Sequence, residues 1–182
     1  RVTTDDGVVG WSEYGEGFGS PGVSAVIAQL TPSVVGTSVA RRHETRLRMF
    51  HQNRPGAVGV VAQAIGAIEN ALLDAHARHL GVPCHVLLGG QVRDRVRCYW
   101  SHGPTWRISR ASTYGNEITD LDGFRRLGQE AVERGFSAMK TNVTKARAGG
   151  FDGWIPGFGR PYQPGLTLDR DVVANLRDQI EA

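Results

Sequence analysis

Phe136-Ser-Ala-Met-Lys-Thr-Asn-Val143 has the composition of a short β-strand with a polar carboxyl end. Side chains alternate between the two faces of a strand, so Lys140 and Asn142 share one face and Thr141 lies on the other. If the strand belongs to a closed parallel barrel, one face is the interior and the carboxyl end opens onto the active site. A lysine placed there can act as an acid, a base or an anchor for a carboxylate. On an ordinary edge strand, the same residues would form a solvated turn.

The carboxyl-terminal half of the chain alternates strands with helices. The predicted order is strand, helix, strand, helix, at residues 96–101, 121–134, 136–143 and 168–180. The first helix can be capped by Asp120 or Asp122, and the second by Thr167. The second helix has an apolar stripe made of Val172, Val173, Leu176 and Ile180. This alternation predicts the beginning of a (β/α) barrel or of a doubly wound sheet.

The amino-terminal half predicts a hairpin followed by helices. Asp6-Gly7 is a typical hairpin turn, here within residues 2–13. A helix over residues 38–51 is expected to bury Leu47 and Phe50. A longer helix over residues 57–80 has apolar side chains at spacings of three and four, namely Val58, Val61, Ile65, Ile68, Leu72 and Ala75. A Gly-Val-Pro sequence at 81–83 marks its end.

Two segments after the predicted strands are long for connections. Residues 103–120 and 144–165 exceed the roughly two to six residues that are typical between a strand and a helix. The second segment mixes glycines with large aromatic side chains such as Trp154, and it contains Arg160. On a barrel, both segments would cover the catalytic mouth. The second could instead be a compact loop that packs on its own aromatic residues or serves a subunit contact.

Composition describes a globular protein without a membrane span or a nucleic-acid surface. The 182 residues are 40% apolar, and no apolar stretch approaches the roughly 20 residues of a transmembrane helix. The net charge is +3, and the arginines are scattered among acids rather than gathered in a basic stripe. The two cysteines are too few for a disulfide framework, so reduced thiols and a cytoplasmic location are expected. Cys84 is placed in a loop and Cys98 in a buried strand.

Five motifs follow one another in the order and at the separations of a known family. They are Gly10-Trp-Ser-Glu13, Ala67-Ile-Glu-Asn-Ala-Leu-Leu-Asp74, Gly81-Val-Pro83, Leu87-Leu-Gly-Gly90 and Gly135-Phe-Ser-Ala-Met-Lys-Thr141. With them the chain resembles the mandelate racemase and muconate lactonizing enzyme family of the enolase superfamily. The resemblance implies an α+β capping domain at residues 1–91, incomplete at its start, and the first two β/α units of a TIM-type barrel at residues 92–182. We therefore expect an internal fragment that is inactive by itself.

The resemblance also implies a reaction, the removal of a proton from the carbon next to a carboxylate. Enzymes of this superfamily use a Lys or His base together with Mg²⁺, which stabilises the ene-diolate. Mg²⁺ is thus the expected cofactor, with ligands on later barrel strands that the chain does not contain. The expected partners are a small-molecule carboxylate substrate and further copies of the chain in a homo-oligomer. Glu13 and Asp74 are expected to tie the cap to the barrel.

Lys140-Thr141-Asn142 departs from the Lys-x-Lys pattern of that family, because it keeps only the first lysine. Asn142 cannot take a proton, although it can hydrogen-bond a hydroxyl or a carboxylate. Racemisation with a base on each face is therefore disfavoured, and a one-base β-elimination is favoured. The leading hypothesis is dehydration of an acid sugar, with Lys140 as electrostatic anchor. Alternatives are a racemase, epimerase or cycloisomerase of the same family, and a non-catalytic scaffold or ligand-binding protein.

Six further residues are predicted to contact the substrate. Ser101 and His102 end the first predicted strand, where barrel sites are built. Asn53 and Arg54 belong to the cap loop that faces the barrel mouth in the family that the chain resembles. Trp154 and Arg160 come from the second long segment. No metal ligand is predicted within the chain.

Overall fold

The computed structural model describes residues 1–17, 20–53, 58–153 and 170–182. The chain folds as two compact units, Arg1–Asp94 and Arg95–Ala182. Within the described residues, no helix is both long and apolar enough to cross a membrane. The predicted division into residues 1–91 and 92–182 stays a prediction.

The first unit begins with the predicted hairpin. Strands β1 (Val2–Thr3) and β2 (Val9–Gly10) are antiparallel, with Val2 opposite Gly10. Gly7 closes the turn at φ 85°, a left-handed conformation that glycine adopts without steric cost. The Thr4 N–H donates to the Val8 carbonyl at 2.9 Å, which holds the two strands in register.

Three helices complete this unit. They are α1 (Val23–Leu30), α2 (Arg42–Gln52) and α3 (Gly59–His79), with short 3₁₀ turns at Thr31–Ser33, Val39–Arg41 and Cys84–Leu88. Their buried side chains form one core cluster of Val23, Leu30, Met49, Ala64, Ile65, Ile68 and Leu72. The long helix and its stripe from Ile65 onward are confirmed. It ends where predicted, because the Gly81 N–H donates to the Arg78 carbonyl and the Val82 N–H to that of Ala77.

The second unit alternates strands and helices. Its elements are β3 (Trp100–Ser101), α4 (Gly103–Ser109), α5 (Ala111–Tyr114), α6 (Leu121–Glu133), β4 (Met139–Lys140), β5 (Thr144–Arg147), β6 (Gly150–Gly153) and α7 (Arg170–Glu181). Strands β3 and β4 are parallel, as the alternation predicts, whereas β5 and β6 form an antiparallel hairpin. A core cluster of Ile118, Phe124, Leu127 and Phe151 lies beneath them.

Several details differ from the sequence-based expectations. Residues 103–120 are not a plain loop, because they contain α4 and α5. The segment from residue 144 contains the β5–β6 hairpin, and Phe151 of that hairpin meets Phe124 edge to face at 5.1 Å between ring centroids. The predicted strands are shorter, since only two residues of each pair with the other. Beyond that ladder, Arg97 donates from Nε to the Ser137 hydroxyl at 2.8 Å.

Some predicted core residues are exposed instead. In α2, Thr45 and Met49 face the core one turn apart, so Leu47 between them points to solvent. Val58 precedes the helix in extended backbone, so the helical spacing does not apply to it. Val173 and Ile180 are exposed, whereas Gln179 is buried because its side chain bonds Thr144. Cys98 is exposed and outside any strand, and Cys84 lies in a 3₁₀ turn rather than a loop.

Candidate functional site

The carboxyl ends of β3 and β4 bring together the polar residues predicted from the sequence. Ser101 is the register partner of Lys140. The His102 N–H donates to the Lys140 carbonyl at 2.8 Å, and the Ser101 hydroxyl lies 2.5 Å from Nδ1 of His102. Asn142 follows two residues after Lys140. Four predicted site residues are therefore gathered at one end of a parallel strand pair.

Lys140 lies on the sheet face opposite α6 and α7. Met139 and Thr141 line a cavity of about 690 Å³ whose other walls come from α6, α7 and Pro104. Because neighbouring strand residues point to opposite faces, the Lys140 side chain projects away from those helices. It is exposed, and among the described residues no acidic side chain pairs with it. The ammonium group is thus available to an anionic ligand at the strand end.

The chain turns from β3 into α4 at His102. This residue has φ 59°, a left-handed conformation that is uncommon outside glycine and costs of order 1 kcal/mol or more. Such strained residues concentrate at ligand sites. The conformation lets the His102 carbonyl accept from the Trp106 N–H at 3.1 Å, so the helix begins directly at the strand end.

Asn142 and Asn53 are held differently. The Asn142 backbone N–H donates to the Thr105 hydroxyl at 3.4 Å. The side-chain amide of Asn142 forms no hydrogen bond within the described part of the chain. The Asn53 side chain donates to the Met49 carbonyl at 2.8 Å and so caps the end of α2. Asn53 therefore has a structural contact that the sequence did not predict. Arg54, Trp154 and Arg160 lie outside the described residues.

A partly buried ion cluster packs against Trp100, the first residue of β3. Arg107 of α4 is 7% exposed and donates from both terminal nitrogens to Glu130 of α6, at 2.5 and 3.0 Å. Arg134 reaches the same carboxylate at 2.7 Å, and both guanidinium groups lie 5.2 Å from the Trp100 ring centroid. Hydrogen bonds from Arg107 outweigh desolvation and hold the pKa of Glu130 below its ordinary value. The cluster fixes α4 and α6 against β3, and sequence spacing gave no signal for it.

Asp74 is architectural, but within the first unit. Its carboxylate accepts from the Trp11 backbone N–H and from Nε of Arg78, both at 2.8 Å. The Trp11 hydrogen bond is the main cause that lowers the pKa of Asp74. Within the first unit, Asp74 thus ties the hairpin to α3, and its expected role between the cap and a barrel stays a prediction.

The described residues contain no group of three or more His, Cys, Asp or Glu side chains that could hold a metal ion. Mg²⁺ prefers several oxygen ligands in octahedral geometry.

The comparisons with known proteins agree on one family. The family described as "Mandelate racemase / muconate lactonizing enzyme, N-terminal domain" matches residues 1–89. A solved structure from Burkholderia xenovorans strain LB400, provisionally named an L-alanine-DL-glutamate epimerase, is 54% identical. It has a TM-score of 0.92 and covers 98% of this chain and 46% of its own. Another structure with that name is bound to magnesium and fumarate.

Curated relatives carry a different name. The D-galactonate dehydratase of Verminephrobacter eiseniae is 32% identical over 143 residues, which are 78% of this chain and 34% of that protein. The D-galactonate dehydratase of Xanthomonas oryzae pv. oryzae is 33% identical over 150 residues, or 81% and 37%. The chain thus spans about a third of the length of the curated relatives that it matches.

Proposed function

Because the chain belongs to the mandelate racemase and muconate lactonizing enzyme family, we propose that the complete protein removes a proton from the carbon next to a carboxylate and so dehydrates an acid sugar. The similarity to two D-galactonate dehydratases at 32% and 33% identity supports dehydration. The residues gathered at the ends of β3 and β4 support a site for an anion. The activity is assigned to the complete protein, since the chain covers only part of its relatives.

We further propose that β3 and β4 are the first two strands of a TIM-type barrel. Their parallel register and the intervening helices α4 to α6 support this assignment. Catalytic residues of such barrels come from the carboxyl ends of the strands. Ser101, His102, Lys140 and Asn142 occupy that end.

Lys140 is assigned as the electrostatic anchor of the substrate carboxylate. Negative charge grows on that carboxylate when the neighbouring carbon loses its proton, and a fixed ammonium group stabilises it. Asn142 donates a hydrogen bond to a hydroxyl of the sugar. In the elimination, a base takes the proton from the carbon next to the carboxylate and then gives it to the hydroxide that leaves the adjacent carbon, so that water departs. The resulting enol tautomerises, with proton exchange through solvent, to a 2-keto-3-deoxy acid. The base that takes the proton is assigned to a part of the protein beyond these 182 residues.

Mg²⁺ is part of the proposal, supported by the magnesium in the 54% identical neighbour. When bound, the ion supplies Lewis-acid stabilisation of the same developing charge. Its ligands are assigned to later barrel strands of the complete protein, as the family resemblance implies.

Epimerisation is the second candidate, because the structure with 54% identity carries an epimerase name. An epimerase that works with two bases needs a proton acceptor on each face of the substrate carbon. Asn142 cannot serve as one of them. This observation favours dehydration.

Deuterium incorporation separates these functions. The complete protein would be incubated with Mg²⁺ and a panel of sugar acids, D-galactonate included, in D₂O and followed by NMR. Dehydration predicts a 2-keto-3-deoxy acid that forms only with Mg²⁺ and stops on chelation. Epimerisation predicts a deuterated epimer and no keto acid. A scaffold predicts neither product, and that result would refute catalysis.

The role of Lys140 is tested by Lys140→Met. Removing an anchor of the developing charge should lower kcat/KM at least about a hundredfold, as expected for the loss of one preorganised charge contact. Met139→Leu changes the neighbouring residue on the opposite face and should leave the rate near that of the wild type. Equal rates for Lys140→Met and the wild type would contradict the assignment.

A further inference from the structure

Four side chains form a continuous strip along α4 and α5. His102, Trp106, Arg110 and Tyr114 follow one another at intervals of four residues. Arg110 lies at φ −143° and ψ 43° between α4 and α5, and two backbone hydrogen bonds bridge this break: the Arg110 N–H donates to the Trp106 carbonyl at 2.7 Å and the Tyr114 N–H to the Arg110 carbonyl at 3.1 Å. We call these four residues the aromatic strip.

The rings of the aromatic strip contact one another in sequence. The His102 and Trp106 ring centroids are 6.2 Å apart, and Trp106 stacks on Tyr114 at 5.8 Å with an interplanar angle of 18°. Arg110 places its guanidinium carbon 5.2 Å from the Trp106 ring centroid. The strip starts at His102, whose N–H bonds the Lys140 carbonyl, so it extends from the proposed site itself.

Arg110 is exposed, and within the described residues it has no carboxylate partner. Several other arginines of the second unit pair with acids, as do Arg107 with Glu130 and Arg147 with Asp152, whereas Arg97 bonds the Ser137 hydroxyl. Stacking on Trp106 occupies the face of the guanidinium but leaves its in-plane N–H donors available. Those donors match a carboxylate in bidentate geometry. Arg110 is thus a cation placed against Trp106 that has no anionic partner in the part of the chain that the structure describes.

We propose that Arg110 binds a second carboxylate of the substrate, so that the substrate class is the sugar dicarboxylic acids rather than the monocarboxylic ones. The inference rests on the proposed function, in which Lys140 holds the carboxylate beside the reacting carbon. Two separate cations along one surface suit a ligand with an acid at each end. The 54% identical neighbour was solved with fumarate, which is a dicarboxylate. Trp106 and Tyr114 offer flat apolar surface to the carbon chain between the two acids.

Fumarate and crotonate make a matched pair of probes. They share one carbon skeleton, and crotonate has a methyl group where fumarate has its second carboxylate. Neither can be dehydrated, so their affinities for the complete protein with Mg²⁺ are measured without turnover, by calorimetric titration. The wild type should bind fumarate at least about tenfold more tightly than crotonate, as expected for a charge-assisted pair.

Arg110→Gln should weaken fumarate binding about ten- to a hundredfold and leave crotonate binding unchanged. Arg110→Lys keeps the charge but loses the planar guanidinium group, so its affinity for fumarate should lie between those of the wild type and Arg110→Gln. Arg126→Gln removes an exposed arginine from α6 and should change neither affinity. An unchanged fumarate affinity in Arg110→Gln, or a wild type that fails to prefer fumarate, would overturn the proposal. The deuterium assay tests catalysis separately, so that either conclusion can fail while the other stands.

Discussion

Gly10 lies where the amino-terminal hairpin meets α3. A Cβ atom at this position would stand 2.2 Å from the Ala71 carbonyl oxygen and 2.5 Å from the Ala75 nitrogen. Both are backbone atoms, so no side-chain rotation relieves the clash. Gly10→Ala should therefore destabilise the protein by about 1–3 kcal/mol, in the range of overpacked cores. Urea unfolding, followed by circular dichroism, measures the change.

Gly66 provides the opposite case in the same region. It lies inside α3, and a Cβ there meets nothing within 4 Å. Gly66→Ala should stabilise the protein by about 0.5–1 kcal/mol, because alanine has the higher helix propensity. Equal changes in unfolding free energy for Gly10→Ala and Gly66→Ala would show that the close contact at Gly10 does not limit stability.

Glu130 joins two arginines, one of them buried. Glu130→Gln keeps the shape but removes the charge, so Arg107 would stay buried without a counter-ion. The expected loss of unfolding free energy at pH 7 is about 2–3 kcal/mol, discounted because Glu130 is partly exposed. Urea unfolding at pH 7 measures it. Glu133→Gln, an exposed neighbour without an ion pair in the described region, should change stability by less than about 0.5 kcal/mol.

The ion pair between Arg107 and Glu130 also predicts that the unfolding free energy depends on pH. The pKa of Glu130 is lower in the folded protein than in the unfolded chain, chiefly through hydrogen bonds from Arg107. Its contribution is therefore complete above the ordinary glutamate pKa and is lost as the pH falls through the folded pKa. The stability difference between wild type and Glu130→Gln should shrink with acidification below about pH 4. A difference that stays constant over that range would refute the ionic origin.

Among the elements, α6 shows what a cap adds. The sequence allowed Asp120 or Asp122 as the capping residue, and the structure selects Asp120, which accepts from the Gly123 N–H at 2.8 Å. Asp120→Ala should cost about 1 kcal/mol of unfolding free energy. Asp122→Ala removes an exposed first-turn acid together with its solvent-exposed ion pair to Arg125, and it should cost only a few tenths of a kcal/mol, about 0.3–0.5. Thermal unfolding of both variants checks the order, and the reverse order would contradict the cap.

The sequence predicted the elements that have a long apolar periodicity or a distinctive turn sequence. The stripe of α3 repeats over about three turns from Ile65 to Ala75, and the Asp-Gly turn has few alternatives, so both were found. Helices α4 and α5 were missed because they are short and their rings stack along a solvent face instead of forming a core stripe. The spacing of His102, Trp106, Arg110 and Tyr114 was the available signal. The Arg107–Glu130 pair spans 23 residues, and no local pattern predicts such a contact.

At the scale of the whole molecule, the second unit leaves apolar surface uncovered. Its cavity of about 690 Å³ is lined in part by Phe124, Val132, Leu176 and Ile180. Val132 and Ile180 are each 74% exposed. Exposed apolar patches usually mark a surface that another segment or protein covers. The matched region covers only 34% of one curated relative and 46% of the Burkholderia xenovorans protein, so these relatives are more than twice as long as this chain.

The 182-residue chain produced alone should therefore bind a hydrophobic dye such as ANS more strongly than the complete protein does. Ile180→Ser should reduce that excess, because it removes apolar area from the cavity, whereas Val35→Ser, exposed in the first unit, should leave dye bound at the cavity unaffected. The chain alone should also release no keto acid and exchange no deuterium, since the base and the metal ligands are proposed to lie elsewhere in the complete protein. Dye fluorescence and the D₂O assay, run on both lengths at equal concentration, measure these effects. Exchange catalysed by the 182 residues alone would contradict the expectation and would place the base and the metal ligands within this chain.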